Sequence, residues 1–252
     1  MAFIQYAMQI IMSFLMITAM SIMLPRANVS ARRINEVLET EVSVQDPEDP
    51  VQPSQDVKGT VEFDHVSFAY PEAEGKVLDD IDFEASPGTT TAIIGSTGCG
   101  KSTLVNLIPR FFDVTEGSIT LDGRDIRNIT LESLRENIGY VPQKGILFSG
   151  TIADNIKYGQ LVESDEDMLE AAEIAQATEF IEAKPDKYES QVAQGGNNVS
   201  GGQKQRLSIA RAIARDPMIY IFDDSFSALD FKTDAALRKA LAPKVKDKTV
   251  LI

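Results

Sequence analysis

The stretch Gly95-Ser96-Thr97-Gly98-Cys99-Gly100-Lys101-Ser102 fits the pattern G-x-x-x-x-G-K-[ST] at every fixed position. Such a loop functions only between a strand and a helix. Its backbone N–H groups turn inward around phosphate oxygens, and the following helix adds the positive end of its dipole. The flanks meet that requirement: Thr89 to Ile94 is a short β-branched strand, and Ser102 to Ile108 reads as a helix. Glycines at 95, 98 and 100 let the chain turn tightly without Cβ clashes. Lys101 supplies a cation for the β- and γ-phosphates, and the Ser102 hydroxyl, with Thr103 beside it, is placed to ligate Mg²⁺. The loop predicts an α/β fold that binds ATP and Mg²⁺ through residues Gly95, Ser96, Thr97, Gly98, Cys99, Gly100, Lys101, Ser102 and Thr103.

A phosphate site of this kind needs an acid at the end of an apolar strand to hold the metal through water. Ile219-Tyr220-Ile221-Phe222-Asp223 supplies one, with Asp223 at the carboxyl end where α/β sheets place ligand groups. A further glycine pair, in Val199-Ser200-Gly201-Gly202-Gln203-Lys204-Gln205-Arg206, opens an amphipathic helix carrying Leu207, Ile209, Ala210 and Ile213. That makes a second anion-binding helix start in one chain.

Bulk properties exclude some classes. A net charge of −14 over 252 residues argues against nucleic-acid binding, which needs a basic surface. One cysteine rules out an internal disulfide and fits a reducing compartment. With no Cys/His cluster, no zinc site is expected. His65, the lone histidine, reads as an ordinary strand residue within Val61 to Val66.

Residues Ala2 to Leu24 are uncharged and rich in Ile, Met, Phe, Leu and Ala. As a helix they reach ~30–35 Å, enough to cross a bilayer core. A signal peptide fits poorly, because there is no basic start and no small-residue cleavage site. Arg26, Arg32 and Arg33 put the end near Pro25 on the cytoplasmic side. Gln5, Gln9 and Ser13 share one face, which serves either a transport pathway or interhelical hydrogen bonding. Met8, Met12, Met16 and Met20 form a neighbouring packing stripe. Asn28 to Thr40 continues as an amphipathic helix. Glu41 to Lys58, with Pro47, Pro50, Pro53 and the acids Asp46, Glu48, Asp49 and Asp56, reads as an extended solvated linker. Beyond it, Thr60 to Tyr70, Ser118 to Leu121 and Met218 to Phe222 read as strands. Ser164 to Ala177 reads as a helix, with Ser164 and Asp167 forming a capping box. The abrupt start, and the apolar stop at Thr249 to Ile252, suggest a fragment of a longer polypeptide.

On these motifs and their order, Gly59 to Ile252 resembles the nucleotide-binding domain of an ABC transporter, an ABC-type P-loop NTPase fold with a mixed sheet core and a helical lobe. The resemblance implies a layout of membrane helix and extension at 1–40, linker at 41–58 and nucleotide-binding domain at 59–252. Within the domain, it implies a catalytic core at about 59–143 and 211–252 and a helical lobe at about 144–210. It also implies roles. Tyr70 stacks on adenine. Gln143, in Tyr140-Val141-Pro142-Gln143, touches Mg²⁺ and senses the membrane part. Ser200, Gly201, Gly202 and Gln203 form the signature motif, which binds the γ-phosphate held by a partner domain; Val199 stands where leucine is usual. Ser227-Ala228-Leu229-Asp230 crosses the dimer interface. The preceding membrane helix resembles the last helix of an exporter-type half-transporter in the plasma or inner membrane, with lipid around it, a second half-transporter beside it and a small molecule as cargo.

One departure bears on catalysis. After the Mg²⁺ acid the family normally places a glutamate as general base, and this chain has Asp224. An aspartate is one methylene shorter, which leaves its oxygens roughly 1 Å short of the attacking water, an offset that can cost ~100-fold in rate. The change resembles the degenerate-site subunit of heterodimeric exporters. The alternatives are a tolerated variant in an active homodimer and a chiefly regulatory nucleotide-binding subunit. The family's switch histidine would lie just beyond Ile252.

Overall fold

The computed structural model describes residues 2–51, 57–71, 73–160 and 164–252. The chain divides between Ser43 and Val44 into two compact units.

The first unit is one helix, α1 (Ala2–Leu38), with Pro25 inside it and no buried residue. By length and composition it is the one helix among the described residues apolar enough to cross a membrane. The helix runs on through Pro25 into the amphipathic stretch that follows it. Proline removes one N–H and crowds the preceding turn. The carbonyl it leaves without a helical partner is Ser21 O, one turn back. At 1.5 Å per residue the helix spans about 55 Å, well beyond a bilayer's apolar core.

The second unit is the α/β part. In chain order it contains β1 (Val61–Phe68), β2 (Leu78–Ala85), β3 (Thr90–Thr91), α2 (Lys101–Leu107), β4 (Glu116–Leu121) and β5 (Arg124–Asp125). There follow α3 (Leu131–Glu136), β6 (Ile138–Val141), β7 (Gly150–Thr151), α4 (Ile152–Lys157), α5 (Asp165–Ile174) and α6 (Thr178–Glu182). The last elements are β8 (Gln191–Val192), α7 (Gly201–Ala214), β9 (Ile219–Phe222), α8 (Phe231–Lys244) and β10 (Thr249–Leu251). An antiparallel sheet runs β2-β1-β4-β5, and a parallel sheet runs β3-β10-β9-β6. Both kinds of sheet are present, as the mixed-core expectation required.

β9 shows why the parallel sheet reads as a continuous apolar run. All four of its residues are buried. Ile219 and Ile221 pack into a core with Phe63, Leu107 and Leu251. Tyr220 and Phe222 point the other way, into a second core with Leu207, Ile213 and Leu237 of α7 and α8. A strand covered on both faces needs apolar side chains at both parities, and it delivers Asp223 to the rim.

Three local expectations are corrected. His65 is not an ordinary strand residue: its φ is +48° and it stands in a bulge of β1 opposite Asp80, whose φ is +52°. Its Nδ1 lies 2.7 Å from Asp80 Oδ1. The ligand-type atoms of Asp64, His65 and Asp82 also fall within 4.8 Å of one another on the exposed surface, but Nδ1 is already engaged by Asp80. Ser164 does cap α5 by accepting from Asp167 N at 3.2 Å, but its own N–H goes to Gln160 Oε1 at 3.5 Å, so the reciprocal half of the box is absent. The stretch read as a solvated linker is partly seated. Asp46 Oδ1 accepts from Leu131 N at 2.7 Å, and Val51 N donates to Asn128 O at 2.8 Å. Pro53 and Asp56, part of that reading, lie outside the described residues. Asp122, in the turn after β4, accepts from the backbone N–H groups of Lys58, Gly59 and Thr60, fixing where the sheet begins.

Candidate functional site

The glycine loop follows β3, which is shorter than its sequence suggests. Pairing with the last strand nevertheless continues past it, Ile93 N donating to Ile252 O at 2.8 Å. Gly100 caps α2 in the left-handed region at φ +95°, which an L residue adopts only with strain. An added Cβ there would also stand 3.0 Å from Leu78 Cδ2. Gly98 is left-handed too, at φ +82°, and the space its missing Cβ would fill is open. Gly95 has a different reason to be glycine: an added Cβ would lie 2.4 Å from Cys99 Sγ. Behind the loop, α2 buries Thr103, Leu104, Val105 and Leu107, which anchors it to the core.

Lys101 folds back over the loop. Its Nζ donates to Gly95 O at 2.8 Å and Ser96 O at 2.9 Å, with Cys99 Sγ at 3.8 Å. Ser102 Oγ donates to Asp223 Oδ1 at 2.9 Å, bringing together residues 121 positions apart. Gln143 Nε2 donates to Asp224 Oδ2 at 3.0 Å. Asp224 has φ +46°, and its backbone oxygen accepts from Ser227 Oγ at 2.9 Å. The Tyr70 and Thr103 hydroxyl oxygens are 2.9 Å apart, and the Tyr70 ring meets Phe68 and Phe112 edge-on.

One cleft of about 430 Å³ gathers Tyr70, Lys101, Ser102, Gln143, Asp223 and Asp224. Thr97, Gly98, Gly100 and Thr103 also line it. Gly95, Ser96 and Cys99 stand behind Lys101 rather than on the wall. Ser200 to Gln203 do not line it either. They open α7, where Ser200 Oγ accepts from Gln203 N at 3.3 Å and Gln203 Oε1 accepts from Ser200 N at 3.1 Å. Ser200 and Gly201 are exposed. After Ser227, Asp230 caps α8 by accepting from Thr233 N and Oγ1 at 3.0 and 2.7 Å, and those bonds hold its carboxyl below the usual range.

Two neighbours were not legible as site residues. Tyr140 donates to Asn106 Oδ1 at 2.9 Å; burial first, then the adjacent Asp223 charge, push its phenol up to about 12, so it stays neutral behind the acid. Gln205 is buried beneath the Gln143 turn and bonds both ends of it. No local signal marks either, since each acts on residues distant in sequence.

An ATP-binding loop, a strand-end acid pair and a second glycine-led helix start on two linked sheets define a nucleotide-binding ATPase domain. The ABC transporter family matches this chain over residues 78–227. An uncharacterized ABC transporter ATP-binding protein of Mycobacterium tuberculosis is 49% identical over 100% of this chain and 43% of its own length. A Staphylococcus aureus protein provisionally named a multidrug export ATP-binding/permease protein is 46% identical over 80% of this chain and 35% of its own. Among solved structures, a bacterial Atm1-family ABC exporter with ATP bound is similar at a TM-score of 0.82 and 34% identity, over 90% of this chain and 39% of that one. The chain belongs to the ABC transporter family and carries its ATPase domain. It spans about two fifths of the length of these relatives.

Proposed function

We propose that this chain is the nucleotide-binding half of an exporter subunit and that its own cleft holds ATP longer than it hydrolyses it. The observation that carries the second part is Asp224, the shorter acid, engaged by Gln143 inside the cleft. The donor set suits Mg²⁺-ATP. Lys101 and the left-handed glycines form a cradle for an anion, and the Ser102 hydroxyl and Asp223 carboxylate are hard oxygen ligands already side by side. In this reading Gln143 completes the metal's surroundings, Tyr70 stacks on adenine, and residues 95–103 hold the phosphates. Asp224 takes the proton from the attacking water, from too far away.

Ser200 to Gln203 lie outside the cleft, with Ser200 and Gly201 exposed, and are free to complete the site of a second half-transporter. In this reading the partner carries the glutamate that this chain lacks, so the assembly is a heterodimer. The α/β unit lies on the cytoplasmic side, α1 sits among membrane lipids of the plasma or inner membrane, and the cargo is a multidrug-type or lipid-like small molecule. The apolar α1 supports the membrane setting, and the names of the relatives support export, with multidrug cargo named for one of them. One observation favours a second reading, an active homodimer. At φ +46° an aspartate is more at ease than a glutamate, which gives Asp224 a purely local reason to be there.

The test is Asp224→Glu in the assembled transporter, read as single-turnover ATP cleavage at this chain's site. A rise of ~10–100-fold with ATP affinity unchanged is expected, the range an offset of about 1 Å commands. Unchanged cleavage would remove Asp224 as the cause and favour the homodimer.

A further inference from the structure

Gln205 lies on α7, two positions after Gln203, and is 1% exposed. Its amide spans the turn that carries Gln143. Oε1 accepts from Gly145 N at 2.8 Å, and Nε2 donates to Pro142 O at 3.0 Å. The two bonds bracket Gln143 from both sides. The seam is tight as well as bonded: a Cβ added to Gly145 would stand 2.8 Å from the Lys204 backbone and 2.9 Å from Ser208 Oγ. Gln143 in turn donates to Asp224 in the nucleotide cleft. The same helix begins, within about a turn and a half of Gln205, with the reciprocal Ser200–Gln203 cap. At 1.5 Å per residue, Gln205 sits only about 7.5 Å along the axis from Ser200. Asp224, Gln143, the 142–145 backbone, Gln205 and the start of α7 therefore form one continuous series of short contacts.

We propose that Gln205 is a positioning residue that ties the seat of Gln143 to the Ser200 end of α7, so that the state of this chain's own cleft is felt at the loop it lends to the partner. The Gln205 side chain does not line the nucleotide cleft. It acts through the backbone it holds. The inference rests on the two-domain reading above, because only there does Ser200 serve a site in another chain. A buried amide that merely satisfies Gly145 and Pro142 would also be costly to remove, but that cost would not depend on Gln143.

Dependence on Gln143 is what the experiment reads. In the transporter assembled with its partner, Gln205→Met keeps the side chain's length and removes both bonds. The expected result is a kcat for Mg²⁺-ATP lowered about tenfold, within the range that small misplacements command. The KM, and the affinity of this chain's cleft for a fluorescent ATP analogue, stay within about twofold. In a Gln143→Ala background Gln205→Met has no further effect, since the group it seats is gone. Gln205→Leu, which also removes both bonds and adds no buried charge, gives a similar fall and serves if the Met variant does not assemble. An unchanged kcat, an equal fall in the Gln143→Ala background, an affinity that falls in step with kcat, or failure of both variants to assemble would each overturn the proposal. If the unsubstituted assembly hydrolyses no ATP, the functional reading itself fails. If it hydrolyses ATP and the variants match it, only the role of Gln205 fails.

Discussion

Gly95→Ala isolates one contact inside the nucleotide loop. Gly95 is not in the left-handed region, so alanine's backbone preference is not at issue, and the cost is steric. The new Cβ would stand 2.4 Å from Cys99 Sγ and 3.7 Å from Cys99 Cβ. Favourable contacts between such atoms begin near 3.5 Å, so the sulfur must retreat by about 1 Å. Moving the sulfur disturbs the Lys101 ammonium 3.8 Å away, which is itself bonded to the Gly95 and Ser96 carbonyls. A displacement of about 1 Å in a phosphate cradle costs up to ~100-fold, equivalent to about 2.7 kcal/mol at 1.36 kcal/mol per tenfold. ATP affinity, measured by titrating a fluorescent analogue into the purified transporter, should fall ~10–100-fold. The double variant Gly95→Ala/Cys99→Ala removes the sulfur and leaves only the 3.7 Å contact, which is ordinary. It should recover most of the loss, a coupling that independent sites would not show. Wild-type affinity in the single variant, or a double variant no better than the single, would refute the steric argument.

Two further outcomes follow from the geometry. Cys99 is exposed beside Lys101, so saturating ATP should slow its alkylation, and equal rates with and without ATP would contradict its place in the cradle. His65, the chain's only histidine, has its pKa raised, first by the hydrogen bond to Asp80 and then by that charge. The protonated ring is therefore favoured in the fold, and what it contributes is present below about pH 6.5 and lost as pH rises through the folded value. Proton NMR should give an imidazole midpoint above 6.5 that drops in Asp80→Asn.

What could be read in the sequence was local or periodic. The loop at 95–102, the apolar run into Asp223 and the glycine pair at 201 and 202 each carry their reason within a few residues. What could not be read was pairing across distance: Ser102 with Asp223, Gln143 with Asp224 and Gln205 with Pro142 join positions 121, 81 and 63 apart. The bulge at His65 depends on Asp80 in the next strand, and the seating of Asp46 depends on a free N–H at the start of α3, 85 positions away. Pro25 is a local breaker carried within a long apolar helix, where the alternative to helix is an unsatisfied backbone.

The central claim is that this chain keeps ATP while another site turns over. It is tested most directly by loading the assembled transporter with a photoreactive, radiolabelled ATP, chasing with unlabelled Mg²⁺-ATP, and crosslinking at intervals. The account predicts that label on this chain persists as triphosphate through many rounds of bulk hydrolysis, and that Lys101→Ala abolishes it. Label lost, or converted to diphosphate, at the bulk turnover rate would contradict it.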